Sequence, residues 1–274
     1  AMGNTKAHSA PSRTPGVPQP SENIKKIRKR IAVMSGKGGV GKTTVSVNLA
    51  SELARRGYSV GILDTDLTGP NIPKALGLLN APIYATDEGI IPAEGPLKMK
   101  VMSMGLLIRE GDPVIWRGPL KAKAIQEFVN NVQWGELDWL IVDLPPGTGD
   151  EPLSVMQLIP LDGVVLVTTP QEVAIMDVRR AIHMVRKMNY RVLGIVENMS
   201  YFTCPGGEKV RIFGGEGGKR LAEEENVPFL GEIPIHPKVS ELTDKGLPIV
   251  ISDPDNPVSL AFKDIVDKIE DMLR

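Results

Sequence analysis

From residue 31 onward, short apolar runs alternate with longer amphipathic segments. Residues 31–35 (IAVMS) predict a buried strand, and 42–56 predict a helix that Gly57 stops. A second strand is expected over 59–66 (SVGILDTD), with weaker strands around 82–91 and 100–104. Pro119 suits the first turn of a helix over 119–132. Three apolar runs, 139–146 (WLIVDLPP), 163–169 (GVVLVTT) and 191–198 (RVLGIVEN), end in polar or Gly/Pro loops. Helices are expected between them over 150–158 and 171–188. A last strand over 229–234 (FLGEIP) precedes a closing amphipathic helix over 257–274. Continuous Val/Ile/Leu strands separated by helices predict an α/β fold, a doubly wound, mainly parallel sheet with helices on both faces. No repeat or linker interrupts the pattern, so 24–274 reads as a single domain.

Composition narrows the function. Residues 1–20 hold four prolines and no Leu, Ile or Phe, and cannot bury enough apolar surface to offset ordering. Residues 1–23 are therefore expected to be a disordered tail, and the Ala1-Met2 start is compatible with a cloning remnant. Next come Lys25, Lys26, Arg28, Lys29 and Arg30. They read as a solvated lead-in to the first strand rather than a nucleic-acid or membrane contact, which usually needs more charge. A formal net charge of −1 over 274 residues argues against a broad nucleic-acid-coating surface. The single cysteine excludes a disulfide scaffold and an intrachain zinc ribbon. His8, His183 and His236 show no metal-ligand spacing. No stretch approaches the about 18 apolar residues of a membrane span, and the N-terminus lacks a secretory core. A soluble, cytoplasmic protein is expected.

The chemistry concentrates in Gly36-Lys37-Gly38-Gly39-Val40-Gly41-Lys42-Thr43, which fits G-x-x-x-x-G-K-[ST] between a strand and a helix. Glycines let backbone N–H groups curl around phosphate oxygens where a Cβ would clash, and the helix N-terminus adds positive charge. Lys42 is expected to neutralise the β/γ-phosphates, Thr43 to ligate Mg²⁺, and Thr44 to reach the α-phosphate. Lys37 has two readings: a solvated loop lysine, or a cation that reaches across a dimer interface to stabilise transition-state charge. Asp64 and Asp66 end the second strand, where carboxylates can hold Mg²⁺ and orient an attacking water. Asp143 ends WLIVD as another Mg²⁺-side carboxylate. An Asp at a strand end can instead cap a helix. Gly147, in PPGTGD, is placed for its N–H to sense a γ-phosphate. Met176, Met184 and Met188 read as core filler. Trp116, Trp134 and Trp139 read as structural, with Arg117 facing either nucleotide or partner subunit.

The stretch KGGVGKTT resembles the deviant Walker A (SIMIBI-type) P-loop ATPases, which include MinD, ParA, the nitrogenase iron protein and the Mrp/ApbC iron–sulfur carriers. Residues 64–71 (DTDLTGPN), 116–119 (WRGP), 139–150 (WLIVDLPPGTGD), 168–180 (TTPQEVAIMDVRR), 197–202 (ENMSYF) and 212–218 (IFGGEGG) resemble Mrp/ApbC specifically. The likeness runs from about residue 24 to the C-terminus. It implies a homodimeric, slowly hydrolysing ATPase that carries iron–sulfur clusters to apo client proteins or assembly factors. It also implies that Lys37 acts in trans, Asp66 positions water, Asp64 supports magnesium and Asp143 is the Walker B carboxylate. Asn198 would recognise adenine, and residues 234–237 would close over it.

The family's C-P-x-C motif places one [4Fe–4S] cluster between two subunits. Here the segment reads Cys204-Pro205-Gly206-Gly207, and the second cysteine is absent. Such a cluster normally takes four cysteines. A dimer of this chain supplies two, so small thiols or client cysteines must complete the set; Glu208 and His236 are poor substitutes. Two other functions stay open. One is a MinD/ParA-like positioning switch, disfavoured because Asp264, Asp267, Glu270 and Asp271 on the last helix would be repelled by anionic lipid. The other is a nucleotide-switched adaptor that carries no cluster. Neither DNA nor membrane binding is expected.

Overall fold

The computed structural model describes residues 21–67, 71–107 and 118–274. An eight-stranded sheet is built from β1 (Ile27–Ser35), β2 (Val60–Asp64), β3 (Ala93–Glu94), β4 (Lys100–Ser103), β5 (Leu137–Asp143), β6 (Gly163–Thr168), β7 (Val192–Glu197) and β8 (Phe229–Glu232). Their order is β8-β7-β6-β1-β5-β2-β4-β3, and every pair is parallel except β3 with β4. The chain fills one side of β1 through β5, then crosses to fill the other from β6. The switch point therefore lies at the C-terminal end of β1, where ligands bind in open α/β sheets.

Both faces of the sheet are covered, which explains the continuous apolar runs. Ile31 and Val33 of β1 face a core completed by α1 (Lys42–Arg55) and α7 (Pro257–Met272), through Leu49, Leu53, Phe262 and Ile265. Ala32 and Met34 face a second core built with α2 (Gly118–Asn131), α3 (Asp150–Leu158), α4 (Glu172–Lys187) and α5 (Gly217–Glu225). Among the described residues no helix is long and apolar enough to cross a membrane.

The main departures have physical causes. β1 starts at Ile27, because the basic residues pair along the sheet: Arg28 lies 3.5 Å from Asp138, and the Arg30 amide donates to Asp162 at 2.7 Å. Ser21 caps a turn over Glu22–Lys25 that buries Ile24, so folded chain begins before residue 24. The segment expected as a weak strand around 82–91 is a hairpin, Tyr84–Thr86 with Gly89–Ile91, outside the main sheet. The longest of the helices not expected are α5 and α6 (Pro237–Asp244). α5 opens on two glycines that propensity disfavours, yet a Cβ at Gly217 would sit 2.7 Å from the Pro170 carbonyl oxygen. Trp134 and Trp139 are buried as expected, whereas Met176 is exposed and does not fill the core. Trp116 and Arg117 lie outside the described residues.

Candidate functional site

β1 delivers the chain into the glycine loop, whose glycines differ in how far their surroundings require them. A Cβ on Gly36 would lie 2.4 Å from the backbone carbon of Asp177, so the loop leaves β1 pressed against α4. Gly39 (φ 81°) and Gly41 (φ 84°) adopt the left-handed region that L side chains avoid. Gly38 is exposed, and a Cβ there would touch nothing. The Ser35 hydroxyl donates to the Lys37 carbonyl at 2.8 Å and ties the loop back to the strand.

The loop wraps a buried charge cluster. Lys42 Nζ, on a side chain 7% exposed, lies 2.8 Å from Asp143 Oδ2. Beyond this ion pair the ammonium meets no other hydrogen-bond acceptor among the described residues. Asp143 is fully buried; its Oδ1 accepts from Ser46 Oγ at 2.6 Å and its Oδ2 from Thr43 Oγ1 at 3.3 Å. Asp64 stands opposite Asp143 in the β2–β5 register. Its Oδ2 accepts from Ser103 Oγ at 2.8 Å, and its Oδ1 accepts from the Asp66 amide at 3.0 Å. Burial, then the neighbouring Asp143 charge, push the Asp64 carboxyl up to about 8. Ser46 and Ser103 were not singled out from sequence, because only the register brings them to these carboxylates.

The Asp64 shift fixes a sign. Folded Asp64 holds its proton to about 8, while the unfolded chain releases it near ~3.9. Between these values the folded state binds more protons, so raising the pH favours unfolding; below and above that window the group adds no slope. Nucleotide-free protein is expected to lose at least ~1 kcal/mol, ~2–4 °C in Tm, between the two ends of the window through this group. Asp64→Asn should flatten that part of the slope in paired thermal melts; equal slopes would refute it.

Lys37, Gly38, Thr43, Asp66 and Pro146 line a cleft of about 430 Å³. Through Gly41, Thr44 and Thr243 it joins a second cavity of about 330 Å³. That cavity is walled by Met199, Ile233, Ile235, Val239 and Val258, apolar side chains that suit a base, and Asn198 is in its lining too. One Asn198 amide hydrogen goes to the Val40 carbonyl at 3.0 Å, which leaves its other N–H and its oxygen for a ligand. Of the stretch 234–237, Pro234, Ile235 and His236 line this cavity, and Pro237 does not. The Gly147 N–H donates to the Ser35 carbonyl at 3.1 Å in the nucleotide-free structure.

Cys204 is half-buried at the end of a small hairpin, Phe202–Thr203 with Lys209–Val210. The Gly207 amide donates to the Cys204 carbonyl, and the Cys204 amide donates to the Glu208 carbonyl, both at 2.8 Å. Gly207 takes φ 88°, so the turn is built around a left-handed glycine where the resemblance expects a second cysteine. Among the described residues no cluster of three or more His, Cys, Asp or Glu is placed to hold a metal ion.

A glycine loop at the switch point of such a sheet, closing on a buried lysine, places the protein in the P-loop NTPase class. A ParA-type family model described as NUBPL iron-transfer P-loop NTPase matches residues 26–270. An iron–sulfur cluster carrier protein of Pyrococcus horikoshii is 49% identical over 264 residues, covering 92% of this chain and 89% of its own. The iron–sulfur cluster transfer protein NUBPL of Dictyostelium discoideum is 46% identical, covering 90% of this chain and 77% of its own. Among solved structures, a nucleotide-binding protein of Archaeoglobus fulgidus in complex with ADP aligns with TM-score 0.74 and 47% identity, over 82% of this chain and 89% of that one. The cell division ATPase MinD of Pyrococcus furiosus aligns with TM-score 0.69 and 25% identity, over 89% and 99%. The chain belongs to the NUBPL iron-transfer P-loop NTPase family.

Proposed function

We propose that this chain is a homodimeric, Mg-ATP-binding and slowly hydrolysing ATPase that carries iron–sulfur clusters as cargo at Cys204. The observation that carries the nucleotide reading is the buried Lys42 ammonium, which meets Asp143 alone and leaves its other hydrogens unpaired among the described residues, at the base of a cleft that opens into an apolar base pocket. Leaving such a group unsatisfied is costly, and β/γ-phosphate oxygens would satisfy it. The amides of residues 36–44 cradle the phosphates, and Asn198 reads the base edge. Thr43, Asp64 and Asp143 offer the hard oxygen donors that suit Mg²⁺, which when bound stabilises charge on the phosphates. Asp66 orients the attacking water, and Lys37 of the partner subunit faces the transferred phosphoryl group. The chain from about residue 21 onward forms a single folded domain, and hydrolysis is slow because the dimer must first close.

For the cargo, two Cys204 thiolates from a homodimer supply half the usual set, and small thiols or client cysteines supply the rest. The glycine turn at 205–207 favours a second reading, a nucleotide-switched adaptor without a cluster. Anaerobic reconstitution with iron, sulfide and glutathione separates the two. The carrier reading expects about four irons per dimer after desalting, with charge-transfer absorption. Cys204→Ala should abolish the iron and leave ATP hydrolysis unchanged. Iron retained by Cys204→Ala would sink the assignment of Cys204. No iron on a wild-type protein that binds Mg-ATP would leave the adaptor.

A further inference from the structure

The base pocket and the Cys204 hairpin are made from one stretch of chain. Asn198 and Met199 line the pocket, and Phe202 already starts the hairpin. Met199 sits at φ 52°, a left-handed conformation unusual for a long side chain. After this reversal Ser200 meets the end of β7. Its hydroxyl donates to Glu197 Oε2 at 2.6 Å, and Glu197 Oε1 accepts the Gly218 amide at 2.7 Å. Glu197 and Ser200 are fully buried, so this link is shielded from water.

Arg211, just beyond the hairpin's second strand, completes the chain. Its Nη1 donates to Ser200 Oγ at 3.1 Å, and its Nη2 donates to Glu232 Oε1 at 3.2 Å, at the end of β8. The Ser200 hydroxyl has one proton, spent on Glu197, so it meets Arg211 as an acceptor; the chain runs one way and each link depends on the next. Lys209 and Arg211 also stand over the Tyr201 ring, at 4.4 and 5.9 Å. The backbone laces the same elements: the Ser200 amide donates to the Ile233 carbonyl at 3.0 Å, and the Ile235 amide donates to the Tyr201 carbonyl at 2.7 Å. Ile233 and Ile235 are walls of the base pocket. Pocket wall and hairpin root are thus one hydrogen-bonded unit, with Cys204 at its free end.

We propose that Ser200 and Arg211 are positioning residues that pass occupancy of the base pocket to the Cys204 hairpin, so that a bound adenine nucleotide sets the exposure of the thiol. The proposal rests on the adenine-nucleotide reading above. It places the sensor at the base, not at the γ-phosphate, and so ADP acts as ATP does. Coupling of this kind needs two sites and an element both can bias; the segment 198–202 is that element.

The single cysteine makes the test direct. The reduced, cluster-free full chain is treated with a maleimide, and the labelling rate of Cys204 is followed alone, with Mg-ADP and with Mg-ATP. Affinity is measured on the same samples by calorimetry. Wild type should change its labelling rate about fivefold or more with either nucleotide, the low end of coupling between distinct sites. Ser200→Ala and Arg211→Ala should keep nucleotide affinity within about twofold and lose the response. Ser200→Thr, which keeps the hydroxyl, should restore it, which a merely structural role would not require. If Arg211→Ala fails to fold, the Ser200→Ala and Ser200→Thr pair decides the matter. Nucleotide binding without a change in labelling, a response retained in Ser200→Ala, or a response to ATP but not ADP would each overturn the proposal. Absence of any nucleotide binding in the calorimeter would overturn the ATP reading and this one with it.

Discussion

Lys42→Ala is expected to weaken ADP and ATP binding by roughly a hundredfold or more, about 2.7 kcal/mol, and to lower the thermal stability of the nucleotide-free protein as well. The two effects have separate origins. The affinity loss follows from removing a desolvated ammonium whose remaining hydrogen-bonding capacity faces the cleft. The stability loss follows from Asp143, which is fully buried and would lose the cation 2.8 Å away while still opposite Asp64. Breaking a buried pair by deleting one partner commonly costs about 3–5 kcal/mol. The lower end is expected here, because Asp143 keeps the Ser46 and Thr43 hydroxyls and because a protonated Asp64 adds no second charge. For a domain of this length that is a fall of ~6–12 °C in Tm. Lys42→Arg restores the charge but sets a planar fork where a point charge fits, so it should recover more of the Tm than of the affinity. Calorimetric titration and scanning calorimetry on the same samples read both quantities. Lost affinity at an unchanged Tm would mean that the Lys42–Asp143 pair does not stabilise the apo fold.

The parts of this site legible in the sequence were those written by local chain geometry. The glycine loop, its lysine and the strand-end aspartates follow from a strand–loop–helix run, and continuous apolar runs imply a sheet buried on both faces. What stayed hidden depends on register. Ser103 meets Asp64 because β4 lies beside β2 with those two residues paired, and no local pattern states that pairing. Ser46 looks like an ordinary helix residue until α1 lies over β5. The neighbours of Gly147 suggest a phosphate sensor, and nothing local shows that its amide meets the Ser35 carbonyl, brought there by the pairing of β1 with β5. α6 is only eight residues long and none of them is buried, so two turns give a helical period too little chain to stand out. The Cys204 turn could be suspected from Pro205-Gly206-Gly207, but its tie to the base pocket through Arg211 spans elements that no spacing rule connects.

Substitutions in the glycine loop should divide by packing, not by motif. Gly36→Ala is expected to cost about 3 kcal/mol or more, the upper end of overpacking, and to weaken nucleotide binding with it. The added Cβ would stand 2.4 Å from the Asp177 backbone carbon and 2.6 Å from the Val178 amide nitrogen. Those atoms belong to α4, whose Val178 is buried in the core, so neither a rotamer change nor a flexible tip can relieve the clash. α4 must move off the end of β1, which tilts the loop that carries Lys42. Gly38→Ala meets nothing within 4 Å, and its φ lies outside the left-handed range. It should leave Tm unchanged or raise it slightly, since a glycine replaced in a compatible conformation gains up to about 1 kcal/mol through the unfolded state. Gly41→Ala stands apart from both. It forces φ 84° on a residue with a Cβ and sets that atom 2.1 Å from Asn198 Nδ2. It should therefore pull Asn198 from the Val40 carbonyl and damage binding of the base as well as of the phosphates. Melting curves and nucleotide titrations of the three variants would rank them. Gly36→Ala melting at the same temperature as Gly38→Ala would mean that α4 yields and that the first glycine serves the phosphates alone. A fall confined to Gly36→Ala and Gly41→Ala would mean that the loop's shape is dictated by the helix and the asparagine packed against it before any nucleotide arrives.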